Sequence, residues 1–161
     1  MNLLSALART ARALPGKPFL RHQGHTTSYA EALDRPRRAA GLLAGQGIGR
    51  GDRVALVCFN TPGFIDAMFG AWRLGAAVVP VNHKLAAPEI EFILAHCSAK
   101  AVVFDAALAP VLAKVESPAV RLSTAGAAAD VQDFDALLAA TTEGIDGAPL
   151  GENAGAGILF T

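Results

Sequence analysis

"RVALVCFNTPGFIDAMFGAWRLGAAVVPV", Arg53 to Val81, carries two short apolar runs on either side of an amphipathic segment. The first run, Arg53 to Phe59, lies between a Gly-Asp turn and Asn60, the pattern of a strand buried on both faces. Thr61 is placed to cap a helix and Pro62 suits its first turn, where a backbone amide has no partner to lose. Phe64, Ile65, Met68, Phe69 and Trp72 then recur at three-and-four spacing up to Gly75 and predict the buried face of that helix. "AAVVPV", Ala76 to Val81, supplies the next strand. A helix between two such strands returns the chain to the same end of the sheet, so the pair is parallel and the fold class is α/β.

Downstream, Ala87-Pro88-Glu89 opens a further helix with Ile90, Ile93 and Leu94 on its apolar face, and "KAVVFD", Lys100 to Asp105, is a third strand. From Ala106 to Gly147 the periodicity weakens. There "STAGAAAD" reads as a surface loop and "DFDALLAA" as a short helix, and Ile158 to Phe160 reads as a final buried strand. Upstream, Ser28-Tyr29-Ala30-Glu31 has the spacing of a capping box, so a helix starts there and runs through Ala39, Ala40, Leu42 and Leu43 to Gly45. Pro36 removes an interior amide and should kink or split it. "HQGH", His22 to His25, is suited to the turn of a small hairpin. Leu3, Leu4, Leu7 and Leu14 predict a surface-packed N-terminal helix, with a presequence containing Arg9 and Arg12 as the less favoured alternative. The expected architecture is a layered, mostly parallel sheet flanked by helices, with residues 1–161 as one unit.

An apolar fraction of 52% against 17% charged residues fits a buried core and excludes an intrinsically disordered chain. Fourteen basic and fourteen acidic residues cancel, which leaves no global attraction to nucleic acid. No apolar run is long enough for a transmembrane segment. Cys58 and Cys97 have no metal-ligand spacing, which points to small core residues in a reducing, cytoplasmic protein.

Four glycines in "GQGIGRGD", Gly45 to Asp52, invite a dinucleotide-binding reading, and with it an unrelated nucleotide-binding domain. That motif requires glycines after a strand and before a helix, whereas these follow a helix and precede a strand. They are expected to end a helix and form a turn. The histidines His22, His25, His83 and His96 match no zinc spacing, and no nucleophile elbow is present, so no catalytic or metal-ligating residue is assigned. Asn82-His83-Lys84 is the polar cluster directly after a buried strand. Ligands gather beyond the carboxyl ends of parallel strands, so this turn is the best internal site candidate, an ordinary solvated connection being the other reading.

In fixed order, several blocks resemble the adenylate-forming family of acyl-CoA synthetases, aryl-CoA ligases, luciferases and peptide-synthetase adenylation domains. "TSYAEAL" is similar to the family's Ser/Thr-Tyr-x-Glu-Leu signature, with Ala32 intervening before Leu33. The stretch from Gly47 to Asp105 follows the family from a Gly-Asp-x-Val turn through a Gly-Ala-x-x-Val-Pro-x-Asn block to a Glu-Ile helix. "AGAGILFT", Ala154 to Thr161, resembles the strand that leads into the family's phosphate-binding loop, with Thr161 as that loop's first threonine.

The resemblance implies an incomplete N-terminal subdomain of an acyl-CoA synthetase-like fold. In the complete enzyme a carboxylate attacks the α-phosphate of ATP, giving an acyl-adenylate and pyrophosphate, and a thiol then displaces AMP. ATP, magnesium and CoA are the implied cofactors of that enzyme, and none is expected to bind tightly to this portion alone. Thr161 would contact the ATP phosphates, and Asn82, His83 and Lys84 would lie near the approach of CoA. The implied partners are the remainder of the same enzyme, in one chain or two, and a carboxylic acid, with self-association left open. On this reading the 161-residue chain alone is inactive. The alternative is a non-catalytic module that pairs with a second chain through its terminal strand.

Overall fold

The computed structural model describes residues 3–116, 120–147 and 155–160. After helix α1 (Leu3–Ala13), β1 (Pro18–His22) and β2 (His25–Ser28) form an antiparallel hairpin, as "HQGH" predicts. Helix α2 (Tyr29–Gly45) leads to β3 (Arg53–Val57), then α3 (Pro62–Arg73), β4 (Ala77–Pro80), α4 (Ala87–His96) and β5 (Ala101–Asp105). A single 3-10 turn and the short α5 (Ala109–Leu112) precede β6 (Val120–Thr124), β7 (Gln132–Asp133) and α6 (Phe134–Ala140). The five strands β3 to β7 make one parallel sheet in the order β4-β3-β5-β6-β7.

The central strands alternate between two cores. Val54 and Leu56 of β3, with Ala101 and Val103 of β5, face a layer holding Ala39 and Leu43 of α2, Ala67 and Ala71 of α3, and Phe134 and Leu138 of α6. Ala55, Val57, Val102 and Phe104 face the opposite layer, built by Ile90, Ile93 and Leu94 of α4 and Leu112 of α5. Helices on both faces explain why these strands are uninterrupted apolar runs.

The α2 N-terminus is the predicted capping box. The Ser28 hydroxyl accepts from the Glu31 amide at 3.3 Å and the Glu31 carboxylate accepts from the Ser28 amide at 2.7 Å. These bonds hold the Glu31 carboxyl below its usual range, the Ser28 amide contributing most. The split expected as one outcome at Pro36 does not occur: α2 is continuous through it. Pro36 is itself buried, and Ala39, Ala40 and Leu43 are fully covered, so tertiary packing holds the turn that local propensity would open. At its other end, the Gly47 amide donates to Ala44 O and the Ile48 amide to Leu43 O, with Gly47 at φ +83°. The glycine cluster is thus a helix stop and turn.

Three other expectations are corrected. The buried face of α3 is lined by Gly63, Asp66, Ala67, Gly70 and Ala71, while Phe64, Met68 and Trp72 are only half-buried at the border of the core. At Gly70 the neighbour that excludes a side chain is α2, whose Ala39 Cβ lies 2.8 Å from an added Cβ, and at Gly63 it is Thr124 of β6. The second correction concerns Ser123 and Thr124, which are buried in β6 rather than in a surface loop. That strand and β7 lie where alternation and length were both too weak to read. Third, residues 156–158 pair with β4, the Val78 amide donating to Ala156 O and the Ile158 amide to Val78 O, but they are not a buried strand. Leu159 is 77% exposed, because this segment borders β4 on one side and has no further strand beyond it among the described residues.

Candidate functional site

The carboxyl ends of β3, β4 and β5 lie side by side, because β3 pairs in parallel with both neighbours. Chain leaving β3 forms the loop 58–61, and chain leaving β4 forms the turn 82–84 beside it. Within that turn the Asn82 Oδ1 accepts from the Lys84 amide at 3.0 Å, an Asx turn that leaves the Lys84 side chain exposed. The His83 ring stands edge-on to the Phe59 ring with centroids 4.7 Å apart. Asn82, His83 and Lys84 are neighbours in the chain, and what the fold adds to them is Phe59. Thr161, the other predicted contact, lies outside the described residues.

Asp105 ends β5 and is only 1% exposed. Its carboxylate accepts from the Phe59 amide and, at 3.2 Å, from the Thr61 hydroxyl. Thr61 therefore does not cap α3 with its side chain, as the sequence suggested; the hydroxyl is turned to Asp105. Burial pushes the Asp105 carboxyl above its usual range, and the two hydrogen bonds oppose that rise. Sequence reading treated Asp105 only as a strand's last residue. Its signal was present, however: an acidic residue at the carboxyl end of an otherwise apolar central strand.

Beside the turn, between the end of β4 and α4, lies a cleft of about 560 Å³ bordered by Val81, Asn82, Leu85, Phe92, Ile93 and Phe160. Its lining is apolar except at the Asn82 mouth and at Glu89, whose carboxylate is engaged by the Ala86 amide at 2.8 Å. Cys58 donates its thiol to Val103 O at 3.4 Å, and burial pushes its pKa far up, so it is a packing residue rather than a nucleophile.

A magnesium triphosphate needs convergent cations, amides and a free carboxylate. At this end of the sheet the described residues offer Lys84 and an Asp105 already engaged, and no group of three or more His, Cys, Asp or Glu side chains converges among the described residues. These residues do not fit ATP or magnesium. Lys84 and the Asn82 amide suit a contact with a single phosphate or carbonyl group. No helix among the described residues is long and apolar enough to cross a membrane.

A model of the AMP-binding enzyme family matches residues 7–161. A long-chain-fatty-acid–CoA ligase from Mycobacterium tuberculosis is 43% identical over 79 residues, covering 49% of this chain and 16% of that protein. A second long-chain-fatty-acid–CoA ligase, from Thermus thermophilus, is 38% identical over 109 residues, 65% of this chain and 20% of that protein. Feruloyl-CoA synthase from Amycolatopsis is 36% identical over 95 residues, 59% of this chain and 19% of its own. The chain thus spans a fifth or less of the length of these relatives. Among solved structures, the N-terminal domain of FACL13 from Mycobacterium tuberculosis superposes with a TM-score of 0.85 at 28% identity, covering 99% of this chain and 41% of that one. A benzoate CoA ligase from Burkholderia xenovorans shares the fold, with a TM-score of 0.88 at 24% identity over 98% of this chain and 32% of its own.

Proposed function

We propose, because the chain belongs to the AMP-binding enzyme family, that residues 1–161 form the N-terminal subdomain of an ATP-dependent acid–thiol ligase that activates a carboxylic acid and transfers it to CoA. The observation that carries this reading is the family match over residues 7–161. The substrate is a fatty, aryl or small acyl acid, the range spanned by the names of the relatives from Mycobacterium, Thermus, Amycolatopsis and Arabidopsis thaliana. ATP and magnesium are held by parts of the enzyme other than the residues described, Thr161 being the one residue of this chain proposed to touch the nucleotide. The remainder of the ligase is accordingly its first partner. Free thiols at Cys58 and Cys97 suit a cytoplasmic location.

Within this reading the parallel sheet is the scaffold, and the Asn82–Lys84 turn orients the thiol acceptor. Lys84 offers a cation to a phosphate of the acceptor, His83 braces the turn against Phe59, and an apolar cleft adjoins the turn.

Carboxylate-dependent ATP–pyrophosphate exchange tests the proposal. Residues 1–161 replacing the matching part of the Mycobacterium ligase should support exchange, whereas the 161-residue chain alone should not. A well-folded chimera without exchange, or an isolated chain as fast as a full-length relative, would overturn it.

A further inference from the structure

The Asp105 carboxylate sits at the end of β5, two strands away from the turn that follows β4, yet a continuous path of contacts joins them. One oxygen accepts from the Phe59 amide, the other from the Thr61 hydroxyl, and the Thr61 amide donates back to Phe59 O at 2.9 Å. The loop leaving β3 is thereby fastened at two points, Phe59 and Thr61, to one buried side chain. The Phe59 side chain, 39% exposed, then carries that constraint outward to the His83 ring.

A buried carboxylate held by neutral donors costs folding free energy that an apolar residue would not. No Lys or Arg pairs with Asp105 among the described ion pairs, so it does not recover that cost as a salt bridge. What it provides is a pair of acceptors facing two donors on one loop, with no N–H of its own to accommodate. We propose that Asp105 is a positioning residue: through the Phe59 backbone and ring it fixes His83, and with it the Asn82–Lys84 turn, for the thiol acceptor. The last step rests on the function proposed above; the positioning itself rests on the contacts alone.

Nuclear magnetic resonance of the histidine rings in the full chain tests the positioning directly. His83 is assigned by the signal lost in His83→Gln. In the parent its ring protons are displaced by the Phe59 ring, and Phe59→Leu, which leaves Asp105 in place, gives the undisplaced endpoint. Asp105→Ala should move the signal to that endpoint, Asp105→Asn, which keeps one acceptor oxygen, should hold it near the parent, and Thr61→Val should place it between. A parent-like His83 signal in Asp105→Ala overturns the proposal. Should Asp105→Ala not fold, a parent-like signal in Thr61→Val overturns it equally.

In the chain joined to the remainder of the ligase, Asp105→Ala should raise KM for CoA about tenfold and leave carboxylate-dependent exchange within about twofold. A shifted His83 signal with an unmoved KM sustains the positioning and overturns the acceptor role of the turn.

Discussion

Gly70→Ala should destabilise the protein although alanine is the better helix former. Gly70 lies in α3 where it crosses α2, and a Cβ built there meets the Ala39 Cβ at 2.8 Å, with Ala39 C and Ala40 N both at 3.1 Å. Carbon atoms pack best at about 3.5–4.0 Å, so the helices must separate by roughly 0.7–1.2 Å locally. None of the three obstructing atoms can swing away on a flexible side chain. Overpacking of this kind costs about 2 kcal/mol. The gain in helix propensity returns about 1 kcal/mol. A net loss of about 1 kcal/mol lowers Tm by roughly 2–4 °C for a chain of this size.

Gly45→Ala is the matched control, since Gly45 ends α2 and nothing lies within 4 Å of its added Cβ. That variant should gain up to about 1 kcal/mol, so identical substitutions differ by about 2 kcal/mol. Urea unfolding followed by circular dichroism, with m unchanged, measures both. A Gly70→Ala protein as stable as Gly45→Ala would refute the close packing of α2 on α3.

Arg35→Ala leaves the Asp66 carboxylate 4% exposed without the guanidinium that lies 2.6 Å away. The loss should be about 2 kcal/mol, less than for a fully enclosed pair because Arg35 remains in contact with solvent, and a double-mutant cycle with Asp66→Ala measures it. Asp105 has a folded pKa raised by burial, so its contribution to stability is fully present below the unfolded value near 3.9 and is lost as pH rises through the folded value. Asp105→Asn should therefore flatten the stability profile above the unfolded carboxyl pKa of about 4, seen as a parent-minus-variant difference that falls as pH rises from there through the folded value. Lys84→Ala should raise KM for CoA about tenfold in the complete ligase with pyrophosphate exchange unchanged; an equal loss in both would place Lys84 elsewhere in the reaction.

The helix starts and the central strands were legible because their signals are local. Ser28 and Glu31 lie within one turn, and the residues of β3 and β5 are apolar on both faces, so neither depends on distant chain. The Asn82–Lys84 turn was legible for the same reason, as polar residues placed directly after a buried strand. Pro36 inside α2 and the small-residue face of α3 were not. Both depend on which element lies opposite, and the sequence of one helix does not contain that information. β6 was missed because Arg121, Ser123 and Thr124 break its apolar pattern. Thr124 is buried against Gly63 of α3 and donates its hydroxyl to Asp135 of α6 at 2.9 Å, and the backbone of Ser123 is paired with β5 on one side and β7 on the other.

Sequence by itself determined the α/β class, the order of most elements, the reading of the Gly45–Asp52 cluster as a helix stop, and the residues from which the family was recognised. These rest on hydrophobic period, capping chemistry and turn residues, all of which act over a few positions of chain. Only tertiary structure decided which atoms meet: that Thr61 turns its hydroxyl to Asp105 rather than to its own helix, and that Phe59 meets His83. Parallel pairing of β3 with both β4 and β5 brings residues 59, 83 and 105 to the carboxyl end of the sheet. A contact between side chains so far apart in sequence exists only after that sheet has formed.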